Sequence, residues 1–348
     1  LCGMASNFVH LLLVRAGVAV GEAGTVPAAQ SLLADYFDRI ERPRAMSIYM
    51  TFYTISMIFG YLIGGWLVES VGWRITFLII GIPNILTAFL VKYTLKEPRL
   101  QKPNAILVVS PTFTETLKAL WCQRSFRHIF IAFCVSYFFS LGVSQWQAVF
   151  FIRSYSMPIS EVGAWLALAW GVFGTLGNYL GGYCASRYAA SQEKLQMRAV
   201  SIVFVITVVV NLMIYLSPSK YLALMFISFS AFLTTLVGGP VFATIQTLVA
   251  VRMRSVSVAL IFMFANLIGF GLGPLFLGVL SDFMNPIFGQ ESLRYALAVF
   301  CPGSLWVAVH YWKAADTVES DINKNESEES STELDVLNDS QLSRQGKT

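Results

Sequence analysis

The chain has 348 residues, 56% of them hydrophobic and only 13% charged, where a soluble domain carries about 45–50% and about 25%. The missing charge is absent in blocks rather than thinned evenly, which excludes an ordinary soluble domain and indicates membrane spans. The formal charge of +4 gives no sign of a nucleic-acid partner, and the five cysteines and three histidines are scattered without metal-ligand spacing or a nucleophile beside a base. Neither a cofactor, nor a metal, nor an enzymatic centre is therefore expected.

A membrane helix needs about 20 mostly apolar residues to cross a hydrocarbon layer about 30 Å thick. Nine segments qualify in chain order: 8–34, 45–68, 75–91, 129–152, 162–186, 199–219, 221–251, 255–281 and 295–312. Each must be helical, because lipid cannot satisfy free backbone groups. The expected fold class is all-α, a polytopic membrane helical bundle. Fifteen connector Lys and Arg residues, among them Arg39, Arg42, Arg44, Lys102, Arg127 and Arg187, fall on one side of this layout; only Arg74, Arg153, Lys220 and Arg294 fall on the other. The richer side reads as cytoplasmic. Nine spans then place Leu1 outside, and the expectation is a chain cut from a longer one. Residues 1–91 read as three spans of a first transmembrane domain and 92–127 as a basic cytoplasmic linker whose second part suits an amphipathic surface helix. Residues 128–313 read as a second domain of six spans. The polar tail 314–348 has no aromatic residue and is expected to be disordered.

The first span alone carries charge, in Arg15 and Glu22. Seven helical residues turn about 700°, so the two share one face about 10 Å apart. Each costs roughly 2.5–3.5 kcal/mol in hydrocarbon and is expected to face an interior cavity. Arg15 keeps its charge and can hold a phosphate or carboxylate in its planar fork. Glu22 is the candidate proton carrier. The plainer alternative is that both fix packing against neighbouring helices. Among the polar span residues Tyr53, Gln145, Gln147, Asn178, Gln246 and Asn266, and the tryptophans Trp146 and Trp170, an interhelical hydrogen bond or packing role competes with cavity lining. Substrate contact is assigned as an expectation to Arg15, Glu22, Tyr53, Gln145, Trp146, Asn178 and Asn266. Asp35, Arg42, Arg44 and Arg187, at the cytoplasmic ends, are candidates for gating ion pairs, with a solvated loop as the alternative.

The halves repeat. Arg42-Pro-Arg44-Ala-Met-Ser47-Ile48 recurs as Arg252-Met-Arg254-Ser-Val-Ser257-Val258, and each copy enters a span carrying Gly-x-x-x-Gly, at Gly60 and Gly64 and again at Gly269 and Gly273. In the preceding spans Pro27 matches Pro240, and Gly24 lies near the position of Gly238. Parallel repeats of this kind build transporters whose substrate sits between the halves near the midplane.

The run Arg15-Ala-Gly17-Val-Ala-Val-Gly21-Glu22-Ala23-Gly24 resembles the fourth-helix signature of the major facilitator superfamily, and its Gly-Glu-Ala ending is similar to the spinster-like branch. Pro27-Ala-Ala, Ala34-Asp35-Tyr36-Phe37, Arg42-x-Arg44-Ala45-Met46-Ser47-Ile48, Gly64-Gly65-Trp66 and Gly72-Trp73-Arg74-Ile75-Thr76-Phe77 resemble that branch's helices four to six. The resemblance is dense over 13–99 and diffuse from 126 to 312. It implies a major facilitator fold lacking its first three helices, alternating access by rocking of two six-helix domains, and lysophospholipid or sphingoid-lipid substrates with proton coupling. The family's first-helix coupling carboxylate would precede Leu1. Gly182-Tyr-Cys-Ala-Ser186-Arg187 departs from the family by having Ser where Asp is often seen, which weakens that gating contact.

The expected function is thus secondary active transport of amphipathic anionic lipids by a monomer, with protons and membrane lipids as its other partners. A carrier of small organic anions, and a receptor or scaffold that does not transport, are the alternatives. The basic asymmetry makes a direct prediction. Single cysteines introduced at Lys102 and Gln341 should react with an impermeant maleimide from the same face of sealed vesicles, and labelling of the two from opposite faces contradicts the assigned topology.

Overall fold

The computed structural model describes residues 1–23, 25, 29, 36, 42–95, 113–188, 192–249 and 253–345. Every regular element among them is helical. Asn7 opens α1 (Phe8–Ala23), its Oδ1 accepting the His10 N–H at 2.8 Å as an N-cap residue does. Helix α2 (Arg42–Thr94) is interrupted at Gly72, whose φ of 78° and ψ of 163° lie outside helical space and disfavour any side chain. The expected second and third spans are the two arms of this one element. Then follow α3 (Phe113–Cys122), α4 (Arg124–Tyr155) and α5 (Ile159–Leu166). A π-helical stretch, Ala167–Phe173, carries α5 into α6 (Gly174–Tyr188). The remaining helices are α7 (Glu193–Leu216), α8 (Lys220–Leu236), α9 (Gly238–Leu248), α10 (Arg254–Phe288), α11 (Ser292–Phe300) and α12 (Ser304–Gln345).

Among the described residues six helical runs are long and apolar enough to cross a membrane: Ile58–Thr94, Arg124–Tyr155, Ile159–Ala185, Glu193–Leu216, Lys220–Ile245 and Val256–Asn325. The first of the nine expected segments is described as the 16-residue α1, and the last two fall together in the sixth run. The chain is a multi-pass integral membrane protein.

It divides into two compact units, one of residues Leu1–Val108 with Met157–Gly171 and the other of Val109–Ser156 with Val172–Thr348. In the first unit the N-terminal turn, with Cys2 and Gly3 buried, packs on α2 beside the Arg74 carbonyl. Helix α5 lies against the first arm of α2, at Gly163 and Gly65. A Cβ on Gly163 would stand 2.7 Å from the Tyr61 carbonyl oxygen. The Glu69 carboxylate accepts the Ser160 N–H at 3.2 Å, satisfying an orphan donor in the first turn of α5 and complementing the helix dipole.

In the second unit one core joins α4, α7, α9, α10 and α12. It holds Ile129 and Phe133 from α4, Met197 and Phe204 from α7, Ile245 from α9, Ile261 from α10, and Val307 and Tyr311 from α12. Phe133 stacks on Tyr137 at 4.7 Å and meets Phe242 and Phe262 edge-on, both at 5.6 Å between centroids. Helices α4 and α10 approach through glycine: a Cβ on Gly273 would lie 2.5 Å from the Phe138 carbonyl oxygen, and one on Gly269 3.0 Å from that of Tyr137.

The expected boundary at 128 falls within α4, and α3 and the first turn of α4 group with the second unit. Met157–Gly171 groups with the first unit, where α5 packs on α2. Helix α12 runs on past 314, where the expected tail begins. Ala314, Ala315, Val318 and Ile322 extend its buried stripe at helical spacing, a pattern that composition alone hides. In the same stretch Asp321 accepts the Ser125 N–H at 2.9 Å as well as its hydroxyl, closing the start of α4. Asn325 donates to the Leu248 carbonyl at 2.6 Å, closing the end of α9, and accepts from Gln123 at 3.1 Å.

The repeated Gly-x-x-x-Gly is used unequally. Gly269 and Gly273 sit in a backbone-to-backbone contact, whereas Gly60 and Gly64 have open space around them and Gly65 makes the contact instead. Gly273→Ala should lower the thermal unfolding midpoint of the detergent-solubilised protein, because overpacking costs about 1–3 kcal/mol. Gly60→Ala should leave the midpoint unchanged or slightly raised. Equal losses from the two, read by intrinsic fluorescence during heating, would contradict the assigned packing.

Candidate functional site

The charged pair is set by α1. Its cap at Asn7 fixes the register, and Arg15 and Glu22 follow two turns apart on one face, both exposed. Val18 and Ala19 occupy that face between them, so only small apolar groups fill the interval of about 10 Å. Among the described residues neither Arg15 nor Glu22 has an ion-pair or hydrogen-bonding partner. A guanidinium and a carboxylate, both accessible and separated by an apolar strip, can take an anionic group at one end and a proton at the other.

The remaining candidates stand in the second unit, apart from Trp170, in the first unit, and Tyr53, whose side chain lies outside the described residues. On α4, Gln145 is exposed and Gln147 is buried. The indole of Trp146 donates to the Pro274 carbonyl at 3.0 Å, and a Cβ on Gly278 would sit 3.1 Å from its ring. Trp146 is therefore held against α10 at the turn that contains a proline. Asn266, half-buried on α10, donates to the Phe262 carbonyl of its own helix at 2.9 Å. It stands eight residues, about 12 Å, before Pro274, so the structure does not bring it to Trp146. Asn178 is exposed on α6. The Gln246 side chain also lies outside the described residues, and Trp170 is half-buried in the π-helical stretch.

Of the gating candidates, Asp35 and the side chains of Arg42 and Arg44 lie outside the described residues. Helix α2 opens at Arg42, and its counterpart α10 is described from Arg254, which the sequence repeat pairs with Arg44. Arg187 is exposed in the last turn of α6, where a cation complements the helix dipole.

Sequence reasoning missed the polar ties of the second unit. Arg294 pairs with Glu291 at 2.8 Å and lies over Phe150 and Tyr155, while Ser154 donates to Glu291 at 3.2 Å. His128 and His310 meet Nδ1 to Nδ1 at 3.0 Å. Glu291 and Arg294 stand at i and i+3, a local spacing that could have been read, whereas Ser154 with Glu291 and His128 with His310 are too far apart in the chain to leave one. No group of three or more His, Cys, Asp or Glu among the described residues is arranged to hold a metal.

The chain matches the family model of the Major Facilitator Superfamily over residues 1–274. It is 28% identical over 323 residues to an MFS-type efflux pump of Mycolicibacterium smegmatis, covering 92% of this chain and 74% of the relative. It is 23% identical over 192 residues to a cis,cis-muconate transport protein of Acinetobacter baylyi, covering 53% of this chain and 46% of the relative. With a probable L-galactonate transporter of Escherichia coli the identity is 22% over 311 residues, 85% of this chain and 67% of the relative. Its fold matches that of a bacterial homologue of the human lysosomal transporter Spinster, solved inward-facing and unoccupied, with a TM-score of 0.78 at 23% identity over 92% of this chain and 80% of that one. The inward-facing, occupied form gives 0.76 at 22%. Family match, fold match and membrane-spanning helices agree: the chain belongs to the Major Facilitator Superfamily, a family of membrane transporters rather than enzymes.

Proposed function

We propose that this transporter moves amphipathic anionic lipids, such as lysophospholipids or sphingoid lipids, by alternating access coupled to protons. One observation carries the reading: Arg15 and Glu22 share an exposed face of a largely apolar helix, with only small apolar residues between them on that face. A charge facing hydrocarbon costs roughly 2.5–3.5 kcal/mol, so this face belongs to a polar passage. Arg15 anchors the phosphate or carboxylate of the substrate through its fork. Glu22 takes and releases the coupling proton. The apolar strip receives the start of an acyl chain. Tyr53, Gln145, Asn178 and Asn266 are proposed to supply hydrogen bonds to the substrate, and Trp146 a rigid wall. Asp35, Arg42, Arg44 and Arg187 are proposed to close the cytoplasmic end through ion pairs.

A second reading, carriage of small organic anions, is favoured by the names of the muconate and L-galactonate relatives, both organic acids. Arg15 and Glu22 would play the same parts. The two readings separate on substrate. Proteoliposomes containing the protein should accumulate labelled lysophospholipid under an imposed pH gradient and leave labelled muconate outside. Accumulation of muconate alone would replace the first reading with the second.

Glu22→Gln keeps size and hydrogen bonding but removes the exchangeable charge. It should abolish accumulation driven by the pH gradient while leaving expression and downhill exchange intact. Wild-type pH dependence in this variant would return Glu22 to a packing role. Arg15→Lys keeps the charge but loses the planar fork. It should raise the half-saturating substrate concentration by about tenfold, the loss of one charge-assisted hydrogen bond. An unchanged value would remove Arg15 from the binding site.

A further inference from the structure

Two stripes of residues meet on the outer surface of the second unit. On α4, Arg124, Arg127 and His128 follow at i, i+3 and i+4; on α12, Trp306, His310 and Lys313 follow at i, i+4 and i+7. The imidazoles join the stripes, Nδ1 to Nδ1 at 3.0 Å with ring centroids 5.2 Å apart, and Trp306 lies against His310 at 6.1 Å. The charges of Arg127 and Lys313 both act on His128, and that of Lys313 also on His310, so the cations flank the junction. Lys313 and Trp306 are exposed, and Arg127 and both imidazoles are half-buried.

The carboxylates of this end are turned to other work. Asp316 pairs with Arg198 at 3.5 Å and Asp321 accepts from Ser125. Glu319 lies six residues beyond Lys313, about 240° around the helix. Among the described residues the patch is therefore net cationic and has no internal counter-ion. It also sits where apolar sequence gives way to polar: the membrane-length run of α4 opens at Arg124, and the apolar part of α12 ends at Trp312. That is headgroup depth, and the exposed Trp306 stands six residues before Trp312, about 9 Å further toward the apolar side, where acyl chains begin.

We propose that this junction binds the phosphate of an anionic membrane phospholipid, seated between Arg127 and Lys313 with its acyl chains lying along Trp306. The proposal concerns an exposed surface of the second unit and does not depend on the substrate reading. A basic pocket between membrane helices at headgroup level has this use on electrostatic grounds, each basic group contributing about fivefold in preference for an anionic lipid.

Native mass spectrometry of the protein released from mixed phosphatidylglycerol and phosphatidylcholine micelles tests it. The wild type should retain phosphatidylglycerol in about fivefold or greater preference. Arg127→Gln with Lys313→Gln should reduce the preference to near unity, while Arg127→Lys with Lys313→Arg should keep it, showing that charge rather than folding is read. Arg153→Gln, a basic residue at the opposite end of α4, should change nothing. Wild-type preference in the Gln variant, or its loss in the charge-keeping variant, overturns the assignment. Displacement of the retained lipid by millimolar inorganic phosphate would show a site for soluble phosphate instead, and would overturn the lipid assignment equally.

Discussion

A bilayer satisfies neither an unpaired backbone group nor a bare charge, and the layout of this chain follows from that one constraint. The apolar segments are helices, which close their own hydrogen bonds. At the span ends, charge is spent on helix ends and ion pairs. Glu69 accepts from the first turn of α5, Asp321 from the first turn of α4, and Glu291 holds Arg294. Against this background α1 stands out, because Arg15 and Glu22 lie on one face of an apolar helix and, among the described residues, are not consumed in structure.

Packing in such a bundle cannot lean on the hydrophobic effect, since lipid tails are as apolar as leucine. Close approach and shape take its place. In the second unit Gly269 and Gly273 let α10 reach the α4 backbone, and the aromatic cluster around Phe133 fills the space beyond. Trp146 bridges the same two helices with a directed hydrogen bond at Pro274. A proline removes one backbone bond and loosens the turn, and the indole supplies a contact where the helix is weakest. The α4–α10 pair is thus closely packed along one stretch and proline-softened at the next.

Much of the fold was readable from the residues. Blocks of apolar sequence mark the helices, and the Arg42 and Arg252 copies locate two corresponding helix starts. The individual contacts were harder. Gly60 and Gly64 match Gly269 and Gly273 in spacing, yet Gly65 makes the contact in the first unit, because a repeat preserves pattern more readily than the face a helix turns to its neighbour. The tail is a related case. Its composition is that of a disordered segment, but four small or branched residues at helical spacing, from Ala314 to Ile322, suffice to bury one stripe. Trp146 read as a possible cavity wall, and its tie to Pro274 across 128 positions could not be inferred from either neighbourhood. The pair on α1 was legible because both its members lie within one helix, where 3.6 residues per turn fixes their relation.

The extension of α12 has a practical consequence. Hydropathy alone would place the end of the protein at Trp312, and a shortened version ending there would look complete. It would also remove Asp321 and Asn325, exposing the Ser125 N–H and the Leu248 carbonyl, each worth about 1–3 kcal/mol if left buried and unmet. The two helix ends that Asp321 and Asn325 fasten, of α4 and α9, both belong to the main core. Trimming at the hydropathy boundary would therefore cut a fastening rather than a loose thread, and a truncation placed after Asn325 preserves it.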